Sequence, residues 1–146
     1  MNAQYWINTL QLTPHVEGGW YRHTWTSDML LSRRGLPEAY DGDRNACSLI
    51  YYLLKDGEVS AWHRLKSPEV WTWHDGGCLV MTQGGAGDKP SAEKELLLGA
   101  RPEKGESFHL VVPEGVWQTT RVKDGGFALV SCVVAPAFCE EDFHLL

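Results

Sequence analysis

His63 and Glu69 stand inside a regular array: Gly57, five residues, His63, one residue, Leu65, three residues, Glu69, six residues, Gly76. An imidazole and a carboxylate are suited to moving protons near neutral pH or to holding a divalent ion. Strand parity puts Ala61, His63 and Leu65 on one face. It puts Glu69, Trp71 and Trp73 on one face too, so the carboxylate brings indoles with it. Leu65, between histidine and glutamate, has no donor atom. A carboxylate beside a histidine fixes the tautomer and favours the protonated ring, while a dry setting disfavours charge. The balance leaves such a histidine titrating near neutrality. The same two residues also make an ordinary satisfied core pair. Trp62, Trp71, Trp73 and Trp117 can likewise fill a core or offer a stacking surface to a flat or sugar-like ligand. His15, His23 and His144 have no companion at ligand spacing. Ser48 and Ser131 lack a nucleophile elbow or adjacent base, which argues against serine hydrolase chemistry.

The elements that must position these residues are short strands. Alternation predicts strands over 20–26, 47–54, 58–65, 69–73, 78–82, 94–98, 108–112, 116–121 and 127–134. Turn residues separate many of them, among them Asp56-Gly57, Asp75-Gly76-Gly77, Pro113-Glu114-Gly115 and Asp124-Gly125-Gly126. Many short strands with glycine-rich punctuation predict an all-β sandwich or barrel, which two packed jelly-roll sheets would accommodate. Ala3, Trp6 and Leu10 predict a short amphipathic helix over 3–12, packed outside the barrel and ended by Pro14. Gly18-Gly19 marks the bend into the first long strand. Residues 27–45 read as a long loop, either a lid or a mobile connection.

With 146 residues the chain suits one domain, residues 1–146, and is too short for two. A net charge of −6 with no basic cluster longer than Arg33-Arg34 argues against a nucleic-acid surface. The N-terminal residues lack the charged and apolar regions of a signal peptide, and no run approaches the roughly 18 apolar residues of a membrane span. The expectation is a cytoplasmic protein with no membrane partner. Cys47, Cys78, Cys132 and Cys139 form no C-x-x-C pair and read as small, reduced, mostly buried side chains.

The Gly57–Gly76 spacing is similar to the first cupin motif. Further matches follow in order: Pro14-His-Val-Glu-Gly-Gly-Trp-Tyr-Arg22, Ser48 to Leu54, Trp62-His-Arg64, Ser67, Glu69-Val-Trp71, Leu98-Gly99, Gly105-Glu106, Leu110 to Gln118, and Ser131 to Pro136 with Phe138 and Asp142-Phe143. On these residues the chain resembles the DUF985 or Cupin_5 family of the cupin superfamily, the RmlC-like jelly rolls. The resemblance implies a double-stranded β-helix, often dimeric. It also implies that the usual metal set of three histidines and a glutamate is cut back here to His63, Leu65, Glu69 and Gln118. The chain departs from its relatives at Thr72, where a histidine is usual, and at Phe108-His109, where Pro-Gln is usual.

Two good ligands are fewer than a catalytic metal site wants, so the resemblance implies a metal-free site with no cofactor. His63 and Glu69 would then form an acid/base pair, with Gln118 stabilising an oxyanion. Trp71, Trp73, Arg22, Glu17 and His109 are the candidate substrate-binding residues, although Glu17 and Arg22 also suit a surface ion pair. The expected function is that of a metal-independent isomerase, epimerase or lyase acting on a small polar, sugar-like or carbonyl metabolite. Nucleotide-sugar 3,5-epimerases, similar in fold class only, use a barrel histidine in this way. Two alternatives stay open: a metal-dependent enzyme using His63, Glu69 and Gln118 with His109 or His74, and a non-catalytic metabolite-binding protein. The expected partners are a small ligand and a second copy of the chain.

Overall fold

The computed structural model describes residues 1–91 and 93–146. One helix, α1 (Ala3–Thr9), precedes fourteen strands: β1 (Thr13–Pro14), β2 (Trp20–Thr26), β3 (Leu30–Leu31), β4 (Arg44–Asn45), β5 (Ser48–Lys55), β6 (Val59–Leu65), β7 (Glu69–Gly76), β8 (Leu79–Gln83), β9 (Lys94–Leu98), β10 (Glu106–Ser107), β11 (His109–Val112), β12 (Gln118–Val122), β13 (Phe127–Val134) and β14 (Phe143–Leu145). Two six-stranded sheets form, in the orders β1-β2-β5-β13-β7-β11 and β10-β9-β8-β12-β6-β14. This is the all-β jelly roll expected. Among the described residues no helix is long and apolar enough to cross a membrane.

The core lies between the sheets. Tyr52, Leu54, Trp71, Val130 and Cys132 from one sheet meet Leu79, Met81, Leu98 and Val122 from the other. Strand alternation sends Leu53 and Leu129 to the opposite face, where Ile7 and Leu12 cover them. β5 is therefore buried on both faces, with Tyr52, Leu53 and Leu54 each almost inaccessible. Burying a side chain of that size contributes about 1.5–3 kcal/mol.

The helix packs outside the barrel as expected, but Pro14 does not end it. Asn2 caps its start by accepting from the Tyr5 amide. At its end Leu12 N–H donates to the Ile7 carbonyl (2.9 Å), Gln11 N–H to that of Asn8 (3.3 Å), and Gln11 takes a left-handed φ of 55°. That is a Schellman termination, closed by the apolar contact of Ile7 with Leu12. Glutamine is an unusual residue there, so the sequence does not announce the stop.

Residues 27–45 are tied down rather than free. They form the hairpin of β3 and β4 with a 3-10 turn at Arg33–Gly35. Arg44, 6% exposed, grips Asp142 through two bonds, Nε to Oδ2 (2.8 Å) and a terminal nitrogen to Oδ1 (2.7 Å). The buried Tyr40 hydroxyl reaches the Lys66 carbonyl (3.1 Å) and the Ser67 hydroxyl (2.7 Å). The structure thus holds this segment against the β6–β7 turn instead of leaving a lid.

Candidate functional site

Three elements converge inside the barrel. β6 supplies His63, β7 Glu69 and β12 Gln118, directly opposite His63 in register. The loop between β1 and β2 supplies Glu17. That loop crosses close to β6: a Cβ on Gly18, whose φ is 106°, would stand 2.0 Å from the Val59 carbonyl oxygen, so only glycine fits. The Tyr52 hydroxyl donates to the Gly18 carbonyl, and Ala61 N–H donates to the Glu17 carbonyl (2.8 Å). These contacts deliver the Glu17 side chain into the interior.

A bulge decides what β6 presents. Gln118 pairs with His63 and Thr120 with Ser60, so Thr119 alone opposes both Ala61 and Trp62. Parity therefore slips, and Ser60 (0% exposed) and His63 (3%) both point inward. The expected common face of Ala61, His63 and Leu65 does not extend past the bulge. The same irregularity brings the Ala61 carbonyl to 2.7 Å from His63 Nδ1.

His63 Nε2 lies 3.2 Å from Glu17 Oε2, and the Ser60 hydroxyl donates to Glu17 Oε1 (3.1 Å). The contact partner of the imidazole is thus Glu17, where the sequence pointed to Glu69. Glu69 instead accepts at Oε1 from Gln118 Nε2 (2.9 Å) and Trp71 Nε1 (3.2 Å). Gln118 Oε1 and Thr120 Oγ1 are buried without a protein partner.

Burial is the main cause of every shift here, and it favours neutral forms. It pushes Glu17 up from 4.5 to about 7, against the bond from Ser60. It lowers His63, opposed by the charge of Glu69, and raises Glu69, opposed by His63. His15 falls to about 4 through burial and the neighbouring His63. A ring nitrogen facing a carbonyl must donate, so His63 Nδ1 carries a hydrogen. His63 Nε2 then either accepts from a protonated Glu17 or, protonated itself, donates to an ionised one. The pair holds one proton in either case, and the shifts favour the neutral arrangement.

The other candidates are spread out. Trp71 is 1% exposed, with its N–H on Glu69, and it packs edge-on against Tyr52 at 5.5 Å between ring centroids, so it fills the core. Trp73 donates to the Gly77 carbonyl (3.1 Å) at the edge of the same cluster. Arg22 is outside, bonded to the Leu10 carbonyl and Gln11 Oε1, with no pairing to Glu17. His109 is exposed on β11. His74 does sit at a bulge in β7, between Trp73 and Asp75, but it is exposed and bonded to the Ser131 hydroxyl (2.5 Å). Cys132 lies buried near both glutamates, its thiol held well above the usual range by burial. All four cysteines are free.

His15 and Ser60 were not signalled by spacing. His15 Nδ1 accepts the Glu17 N–H (3.0 Å) and its ring packs edge-on against Tyr21 and Tyr52. The one local sign was the Gly18-Gly19 pair after Glu17, which marks a close backbone approach. Above the site, the Phe143 ring lies 5.4 Å from the imidazole at 34°, held by pairing of β14 with β6.

His63, Glu69 and Gln118 are the residues that would hold a divalent ion. Among the described residues no three His, Cys, Asp or Glu side chains group to hold one. His63 Nε2 is turned to Glu17, and Leu65 offers no donor.

Two antiparallel-rich sheets closed over an inward histidine, glutamate and glutamine define a cupin-type jelly roll. The chain belongs to the Cupin_5 family of the cupin superfamily (DUF985), whose model matches residues 4–146. An uncharacterised protein of Saccharomyces cerevisiae is 30% identical over 158 residues, spanning 99% of this chain and 75% of that protein. A hypothetical protein from Leishmania major superposes with a TM-score of 0.87 at 32% identity, covering 100% of this chain and 88% of that one. A protein from Shewanella oneidensis gives a TM-score of 0.84 at 34% identity, covering 100% and 85%.

Proposed function

We propose that the protein is a metal-independent acid/base enzyme, an isomerase, epimerase or lyase acting on a small polar carbonyl metabolite. One observation carries this reading: the buried 3.2 Å contact of Glu17 Oε2 with His63 Nε2, whose ring is fixed from behind by the Ala61 carbonyl. When the pair loses its shared proton, Glu17 is a carboxylate and His63 a neutral ring with a free Nε2 lone pair. That nitrogen takes a proton from the carbon next to the substrate carbonyl, and the C–H electron pair becomes the enolate. Glu17 stabilises the imidazolium that results. Glu69, whose affinity for a proton burial raises, is the donor to the enolate, from Oε2 because Oε1 is occupied by Gln118 and Trp71. Gln118 thus positions Glu69 and leaves its own oxygen to accept from the substrate.

The test is solvent exchange. A panel of small 2-oxo acids, aldoses and ketoses incubated with the protein in D2O should show deuterium entering next to the carbonyl of at least one compound by NMR. His63→Asn should abolish that exchange. Binding of a compound with no exchange in any would replace this reading with a metabolite-binding protein.

The assembly we propose is a homodimer. β2 pairs with β1 only at Trp20 and Tyr21, leaving its outer edge from Arg22 to Thr26 without a partner among the described residues. Unpaired edge groups invite pairing with another chain. Four free cysteines suit a reducing compartment, the cytoplasm.

A further inference from the structure

Arg64 alternates with His63 and Leu65 on β6, so its side chain leaves the barrel on its outer face, and Lys66 follows directly after the strand. His144 is the direct cross-strand partner of Arg64. With Leu65 and Gly115 these three line a concavity of about 220 Å3. Two cationic side chains and an imidazole N–H donor around one hollow are an arrangement that suits an anion.

The protein does not supply it. Among the described residues neither Arg64 nor His144 has a carboxylate within ion-pair distance. Lys66 Nζ lies 3.9 Å from Asp142 Oδ1, but both oxygens of Asp142 are already held by Arg44 at 2.7 and 2.8 Å. Arg64 is preset rather than loose. Its guanidinium lies 4.6 Å over the Trp117 ring, and one nitrogen donates to the Gly87 carbonyl (2.9 Å). Among the described residues the other donors of that fork have no hydrogen-bond partner, and a guanidinium binds an oxyanion with matched geometry.

We propose that this hollow, formed by Arg64, Lys66, His144 and Gly115, binds a phosphate group, either free or carried by a small metabolite. The site is separate from the Glu17–His63 pair, because it lies on the other face of β6. Its occupant bridges β6 and β14.

Titration of the 15N-labelled protein at constant ionic strength, once with inorganic phosphate and once with glycerol 3-phosphate, tests this. Saturable shifts confined to the amides of 64–66, 115 and 143–145 are expected. Lys66→Gln and His144→Gln should each weaken binding by about tenfold, the scale of one charge-assisted hydrogen bond. Arg64→Gln should weaken it further, with near-UV circular dichroism showing whether loss of the Trp117 stack has disturbed the fold. Because Lys66 and His144 carry the test independently, a misfolded Arg64 variant does not leave it open. Tighter binding of the ester than of phosphate identifies a metabolite as the source, and equal binding identifies the free ion. Linear, unsaturable shifts matched by sodium chloride, or unchanged affinity in both the Lys66 and His144 variants, would overturn the proposal.

Discussion

The proton shared by Glu17 and His63 makes a stability experiment possible without a substrate. In the unfolded chain the Glu17 carboxyl ionises near 4.5, whereas in the folded protein it keeps its proton up to about 7. Its contribution is therefore fully present below pH 4.5 and is lost as pH rises through 7. His63 acts in the opposite sense: its lowered value costs stability as pH falls below 6.5. Between these limits the two slopes oppose each other in the parent. Glu17→Gln is permanently neutral and removes only the first. The stability of the variant relative to the parent, from urea unfolding, should rise by about 3 kcal/mol between pH 4.5 and 7, at 1.36 kcal/mol per pH unit. A flat difference would mean that folding does not raise the proton affinity of Glu17. Catalysis should follow the same group, with exchange activity rising as the pair loses its proton near pH 7. Purified protein is expected to carry less than one zinc, iron, manganese or nickel per chain, with chelation leaving its properties unchanged. Elemental analysis of untagged protein checks this, and Leu65→His with Gln118→His should create uptake. His63, Glu69 and Gln118 were legible because a fixed spacing within two motifs places them. The partnership of Glu17 was not, because it depends on a loop more than forty positions away in the chain crossing β6 at a glycine.

At the scale of elements, the predicted 20–26, 94–98 and 127–134 coincide with β2, β9 and β13, of which only β13 is long and buried. Alternation fails where a bulge inserts a residue, since nothing in Ala61-Trp62 or His74 distinguishes a bulged residue from a paired one. It is also blind to two-residue strands, so β3 and β4 were lost inside a predicted loop. The Arg44–Asp142 clamp that orders this loop joins residues nearly a hundred positions apart. Removing one partner of a buried ion pair leaves the other uncompensated, so Arg44→Met should cost about 3 kcal/mol in urea unfolding. Arg44→Met combined with Asp142→Leu should recover much of that loss.

At the scale of the molecule, the two-sheet architecture follows from composition and turn spacing, whereas the assembly depends on which edges stay open. Trp25, half exposed on the open edge of β2, sits where a second subunit would pair. Sedimentation should find a dimer at micromolar concentration. Trp25→Asp should shift it to monomer with the far-UV spectrum unchanged.

The ring of Phe143 over His63 turns ligand binding into a question of populations. The imidazole is 3% exposed beneath that ring, so a ligand that reaches it past β14 would meet only the fraction of molecules in which β14 has lifted. If about one molecule in a hundred is open, the measured affinity is about a hundredfold weaker than the open site's own. Phe143→Ala removes the cover together with its packing, so it should lower stability and yet tighten binding. A contact that holds the fold together would thereby be what keeps its ligand waiting.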